Sequence, residues 1–460
     1  MLIPLKLLRD RPLQQQLYEQ LRALIISSRL ASGTRMPSTR MLAEQFSVSR
    51  ITVLLTYERL IAEGYLRTIP AKGTFVHRVL AADGCVPRAN DNATAEPDPG
   101  TVRLPGRPDP HLFPAVKWRA LIRTALNTLC ADTGEEPVIA ELGLRRAISR
   151  WLSTSRGLAV EADQIILAHG RQHALHIAAH LLLRPGSRAV TEAPGDPAAE
   201  LMFAGSGANL VTVPVDEDGI QTERLPAGGA ALVLVTPEHQ RPLGSVLSLK
   251  RRHALLSWAA RAGATVIEED SDGELRYEEM DAPALMTLDR DGIVLHAGDF
   301  AAALGPGVML GYLAVPQRLI GPARAASRLA GAFAGRLEAE ALATLIDSGS
   351  YARHLHAVRK AYLLRRDALI RSLRRHFGET ARISGAAAGL HLVWTLPPQL
   401  RSAAAVAAMA RRLGLDAGRV GERAVLLGFG VPAVQQIETA VERLAQALGG
   451  AGDGKAFSGD

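Results

Sequence analysis

Ser38, Arg40, Ser49, Arg50, Thr52 and Lys72 bring hydroxyl, guanidinium and ammonium groups into one short stretch, Pro37 to Val76, with Gly73 closing the series. Their chemistry is hydrogen bonding to anions and base edges: such donors bind phosphate oxygens, and a guanidinium reads a base pair. Holding them in place takes two short helices and a hairpin. Ser38 follows Pro37 and can accept from the free N–H groups of a first turn, so a helix starts there, with Leu42, Ala43 and Phe46 on one face. The turn Ser47-Val48-Ser49 offers a second cap at Ser49. From there Val53, Tyr57, Leu60 and Ile61 recur at the spacing of a buried helical stripe, and Arg50, Thr52, Thr56 and Arg59 take the other face. Gly64 ends the helix. Tyr65-Leu66 and Thr74-Phe75-Val76 read as strands about Pro70-Ala71-Lys72-Gly73, a wing whose Lys72 reaches a phosphate. Leu13, Leu17, Leu21, Leu24 and Ile25 give the amphipathic helix beneath the pair. The whole is a winged helix-turn-helix, whose expected partner is double-stranded DNA.

Charge points the same way. Residues 1–76 carry 11 Lys/Arg against 5 Asp/Glu, whereas the other 384 carry 42 against 41. The positive excess therefore sits on one sixth of the chain, where counterion release from DNA uses it. With 47% hydrophobic and 22% charged residues, 460 residues are enough for two or three domains with real cores. Cys85 and Cys130 lie far apart and support neither a disulfide framework nor a metal cluster, which fits a reducing cytoplasm. No signal peptide or membrane span is expected, because the longest apolar run, around Ala174 to Leu183, is broken by His176 and His180. His169, His173, His176 and His180 recur at helical spacing without an acid or thiol nearby and read as packing or surface histidines.

The expected organisation is a DNA-binding unit at 1–76, a Pro-, Gly- and Asp-rich linker at 77–110, a large α/β domain at 111–349, a smaller α/β subdomain at 350–448 and a disordered tail at 449–460. Within the large domain, Ile165 to Leu167, Ala231 to Val235 and Thr265 to Ile267 are unbroken apolar runs. Such runs mark strands buried on both faces of a mostly parallel sheet with helices on either side.

Two resemblances sharpen this reading. The PSTRMLAEQFSVSRITV stretch with its AEGYL and GTFV followers resembles the GntR-type winged helix, which implies Ser38, Arg40, Ser49, Arg50, Thr52, Lys72 and Gly73 as DNA contacts. Residues after the linker resemble a fold-type I, class I/II aminotransferase, on the segments Gly170 to Leu175, Glu192 to Pro197, Thr236 to Gly244 and Glu268 to Tyr277. A GntR winged helix ahead of such a domain is the hallmark of MocR-type transcriptional regulators.

That second resemblance implies a pyridoxal-phosphate site, in which a lysine amine holds the aldehyde as a Schiff base. Family members carry the lysine in a segment resembling GTFSKTLFPALRLGYL. Here Gly298 to Leu313 corresponds, putting Ala302 at the lysine position and Met309 at that of a phosphate-binding arginine. No lysine occurs between Lys250 and Lys360. Glu269 stands for the aspartate that pairs with the pyridinium nitrogen, Ser271 for a tyrosine, Asp196 for the stacking aromatic and Leu426 for the substrate-binding arginine. Glu269 is a methylene too long, and Asp196 brings negative charge toward an anionic cofactor. Gly170-Arg171-Gln172, opening a helix, can still bind an anion. The expectation is a cytoplasmic regulator rather than an enzyme, a head-to-tail homodimer with a small anionic effector. Pyridoxal phosphate held noncovalently is the alternative, and an active aminotransferase is the least favoured reading.

Overall fold

The computed structural model describes residues 3–5, 7–8, 12–27, 29–70, 72–77, 105–131, 138–278, 282–331, 335–378, 381–400 and 402–449. The expected linker apart from 77 and 105–110, and the expected tail apart from 449, lie outside the described residues, as does Cys85. The chain divides into two compact units, Met1–Pro99 and Gly100–Asp460.

In the first unit, α1 (Leu13–Ile26), α2 (Thr39–Phe46) and α3 (Arg50–Ala62) precede the antiparallel hairpin β1 (Leu66–Ile69) and β2 (Gly73–Val76). Both expected caps form. Ser38 accepts from Met41 N at 3.3 Å and Ser49 from Thr52 N at 3.1 Å, each satisfying a donor the first turn leaves free. Leu17, Leu21, Leu42, Val53, Tyr57 and Leu60 fill the core, and Tyr57 Oη donates to Pro37 O at 2.9 Å, tying α3 to the start of α2. Gly64, at φ +80, is the left-handed residue after α3. Gly73 opens β2 at φ +111, where a Cβ would meet Arg35 Nε at 3.3 Å, so only glycine suits the wing there.

The second unit begins with Pro105 to Pro110, expected in the linker but packed into this body: Gly106 N donates to Asp416 Oδ2 at 3.0 Å and Asp109 N to Tyr362 Oη at 2.9 Å. Its elements are α4 (Ala115–Ala131), α5 (Val138–Arg156), β3 (Ile165–Ala168), α6 (Gly170–Leu182), β4 (Arg188–Ala193), α7 (Pro197–Gly205), β5 (Asn209–Asp216), β6 (Gly219–Ile220), β7 (Leu232–Val235) and α8 (Leu249–Ala262). There follow β8 (Thr265–Glu269), α9 (Leu285–Leu288), β9 (Val294–Asp299), α10 (Ala301–Leu304), β10 (Gly311–Ala314), α11 (Ile320–Leu329), α12 (Arg336–Asp347) and the long α13 (Ser350–Phe377). Last come β11 (Arg382–Ser384), β12 (His391–Thr395), α14 (Ala403–Arg412), β13 (Asp416–Val420), β14 (Ala424–Gly428) and α15 (Val434–Gly449).

Eight strands form one sheet in the order β3-β10-β9-β8-β7-β4-β5-β6. Its centre, from β9 to β5, is parallel, and β10 and β6 run antiparallel to their neighbours. The strand alternation sends Ile165 and Leu167 into the core under α5 and α12, and Ile166 and Ala168 into the one under α6 and α11. Helices thus cover both faces, which explains why these strands read as continuous apolar runs. A second, antiparallel sheet, β11-β12-β14-β13, packs with α13 and α15; Trp394 and Leu427 of the sheet and Val441 of α15 join the same core as α5 and α12.

Candidate functional site

In the first unit the outer side of α3 presents Arg50, exposed, whose Nε donates to Thr39 Oγ1 at 3.4 Å. Ser38, Arg40 and Lys72 are also exposed, Ser49 lies at the helix tip, and Thr52 is half-buried with its Oγ1 2.8 Å from Ser49 Oγ. These groups sit on two capped helix starts, those of α2 and α3, and on the wing. Arg40 pairs with Glu44 at 3.1 Å, both largely in solvent, a contact worth a fraction of a kcal/mol that DNA phosphate can displace.

Three details of the expected helix face are corrected. Thr56 is fully buried, its Oγ1 donating to Thr52 O at 2.8 Å, because the real α3 phase turns it inward beside Val53 and Tyr57. Ile61, expected in the buried stripe, is 37% exposed. Arg59 is not free for a ligand: it pairs with Glu63 at 2.9 Å and its guanidinium stacks 3.8 Å over the Tyr18 ring. Tyr18 Oη also donates to Glu63, so these three groups form a brace between α1 and the end of α3.

The second constellation lies at the ends of the parallel strands, where open α/β sheets bind ligands. Gly170-Arg171-Gln172 does open α6, directly after β3. Yet Arg171 turns its side chain into the cleft. Its Nη1 donates to Asp196 and, at 3.1 Å, to Glu269, the last residue of β8. The guanidinium at this helix start is therefore met by carboxylates of the chain itself. Asp196 has a second task, capping α7 by accepting from Ala198 N at 2.9 Å. Ser271 Oγ donates to the other oxygen of Glu269 at 3.3 Å. Burial acts to raise the Asp196 carboxyl, but the Arg171 guanidinium outweighs it and holds the acid below its usual range.

Around this triad the charge is dense and paired. Arg241 Nε sits 3.2 Å from Asp272 Oδ2, which also meets His239 Nδ1 at 3.2 Å. Arg156 pairs with Asp270 at 2.6 Å, both almost fully buried. Burial pushes the Asp299 carboxyl up to about 6 and that of Glu192 to about 7. Glu192 spends its oxygens on Thr236 Oγ1 at 2.6 Å and Gln240 Nε2 at 3.1 Å. Two recesses of about 10 Å³ each lie among these groups, one bordered by Asp196, Arg241 and Glu269, the other by His239, Glu269 and Asp272. A recess of that size holds about one water, while cofactor sites need several hundred Å³.

Ala302 lies on α10, buried at 8% exposure in the core that also contains Phe300 and Tyr351. Met309 is 64% exposed and Leu426 is buried within β14. Lys250 and Lys360 are exposed on α8 and α13. Ala302 thus carries only a methyl at the position where the resemblance leads one to expect an amine, and Arg171 bridges Asp196 and Glu269. Sequence reasoning placed Arg171, Asp196 and Glu269 in the cleft but missed that they neutralise one another. The signal was available, since two acids stand where the family motif leads one to expect an aromatic and a shorter acid, on either side of one arginine.

A winged helix joined to an aminotransferase-fold body with a rebuilt cleft defines a class. Residues 13–76 match the family of bacterial regulatory proteins called gntR, and residues 118–414 match aminotransferase class I and II. The probable rhizopine catabolism regulatory protein MocR of Rhizobium meliloti is 34% identical over 402 residues, 84% of this chain and 82% of that one. The HTH-type transcriptional regulator TauR of Rhodobacter capsulatus is 34% identical over 391 residues, covering 78% and 79%. An archaeal alanine:glyoxylate aminotransferase superposes with a TM-score of 0.67 at 24% identity, over 76% of this chain and 92% of that one, a likeness of fold alone. The chain belongs to the MocR-type subfamily of GntR regulators, and its winged helix is a DNA-binding domain.

Proposed function

We propose that this regulator binds DNA through Ser38, Arg40, Ser49, Arg50, Thr52, Lys72 and Gly73, and that its aminotransferase-like body has given up imine chemistry. The body serves as a dimerisation platform and an effector sensor. One observation carries the second half of this reading: the Arg171 guanidinium lodged between Asp196 and Glu269. A cation built into the chain there offsets the carboxylates that a pyridinium ring would otherwise meet, so the cleft is stable without a cofactor.

Leu201, Leu329 and Val116, 75%, 81% and 82% exposed, support a second copy covering part of the body. A small anionic effector finds a better match away from the cleft. A cavity of about 690 Å³ beside α14, β13 and α15 is lined by Arg107, Arg411 and Arg443, with Asp416 as its one acid. Among the described residues no helix is long and apolar enough to cross a membrane, and a DNA-binding role assigns the protein to the cytoplasm.

Fluorescence anisotropy with the full chain and a labelled duplex from upstream of its own gene tests the reading. Specific binding should weaken steeply with salt and be abolished by Arg50→Ala. Saturating pyridoxal phosphate should leave the affinity unchanged. Unchanged binding by Arg50→Ala, or a large response to the cofactor, argues against it.

A further inference from the structure

The recognition helix α3 carries an exposed apolar strip on the outer side of its first turns, between Arg50 at the helix start and Glu58 further along. Ile51 is 68% exposed, and Leu54 and Leu55 are 44% and 43% exposed. Ile51 lies three residues before Leu54 and four before Leu55, so the three side chains form one strip along the first turns of the helix. The inner strip of Val53, Tyr57 and Leu60 already fills the core against α1, which leaves the outer strip no part in holding the fold. Exposed branched aliphatics in this number are unfavourable in water unless a partner covers them.

The surroundings narrow the choice of partner. The strip begins beside Arg50, at a helix start capped by Ser49, within a segment carrying 11 Lys/Arg against 5 Asp/Glu. That field repels a basic partner and attracts a polyanion. Inside the major groove of a polyanionic duplex, the apolar group on the floor is the thymine 5-methyl, and aliphatic side chains are its complement. The position is the one from which a recognition helix contacts base edges.

We infer that Ile51, Leu54 and Leu55 read thymine 5-methyl groups, so that the half-site under α3 is rich in A·T pairs and is specified by apolar contact rather than by guanidinium-to-guanine bonds. Arg50, at the edge of the strip, then contacts a flanking phosphate or base. This rests on the DNA-binding reading of the winged helix and adds to it the chemistry of what is read.

Removing methyl groups from the DNA tests the idea without altering its charge. Duplexes bound by the full-length protein are selected from a random pool, and the best is remade with uracil for thymine across the half-site. Affinity should fall about fourfold for each contacted methyl lost. Ile51→Ala and Leu55→Ala should each weaken binding to the thymine duplex and bring the thymine-to-uracil ratio toward one. The dependence of binding on salt should stay as in the native protein, since no phosphate contact is touched. Equal affinity of the native protein for both duplexes overturns the inference, as does a double Ile51→Ala, Leu55→Ala variant that keeps the native ratio. Selected half-sites made of G·C pairs overturn it too. Failure to retain any duplex strikes instead at the DNA-binding reading beneath it.

Discussion

Arg171 is the residue on which the character of the body turns. Breaking a buried ion pair by removing one partner leaves charges with neither water nor a counterion, at a cost of about 3–5 kcal/mol. Arg171→Met strands Asp196 and Glu269 against each other, and chemical denaturation should show a loss of that order; a loss below about 1 kcal/mol would contradict the assigned role. Asp299 offers a test through pH. Burial lifts its carboxyl from 3.8 to about 6, so the neutral form favours the fold at acid pH and that contribution disappears as pH rises through about 6. Asp299→Asn keeps an acceptor for Ala301 N–H and cannot ionise. Between about pH 5 and about pH 8 the native protein should lose about 1.4 kcal/mol more stability than the variant, the remainder of the contribution being lost between about pH 4 and about pH 5, as read from unfolding at each pH. A variant that tracks the native curve removes Asp299 as the titrating group.

At the scale of elements, the sequence was most legible where structure is local. Ser38 and Ser49 cap their helices because the acceptor and the N–H lie three residues apart, and no distant residue is needed to form that bond. Ser49→Ala should therefore cost the winged helix about 1 kcal/mol in thermal unfolding, a loss absent from the aminotransferase-like unit. Equal stability of variant and native would show that the cap does not hold α3. The strands β3, β7 and β8 were legible for a related reason, since burial on both faces leaves no polar position in them. Short strands were not. β6 is a two-residue element, and β13, reading Asp-Ala-Gly-Arg-Val, is held in its sheet by β14 rather than by its own pattern. The phase of α3 was misread because apolar residues lie all round it: Ile51, Val53, Leu54 and Leu55 leave periodicity without a unique answer, and packing on α1 and α2 decides which side turns inward. The Arg171 triad was legible only as two unexpected acids; its pairing was not, as the members lie 25 and 98 residues apart and meet only when the sheet brings β3, β4 and β8 together.

At the scale of the whole molecule, charge and cofactor chemistry are divided between two units. Net positive charge is concentrated in the first 76 residues, and the rest of the chain is close to neutral. The second unit keeps the sheet, the helices and the strand-end cleft of an aminotransferase, while the cleft interior is filled by ion pairs. Mixing the full-length protein with pyridoxal phosphate, reducing with borohydride and mapping adducts by mass spectrometry probes this division most directly. The account predicts no visible aldimine band and no lysine labelled beyond the level of the unfolded chain. A saturable, borohydride-fixed adduct on any lysine of the body would contradict it.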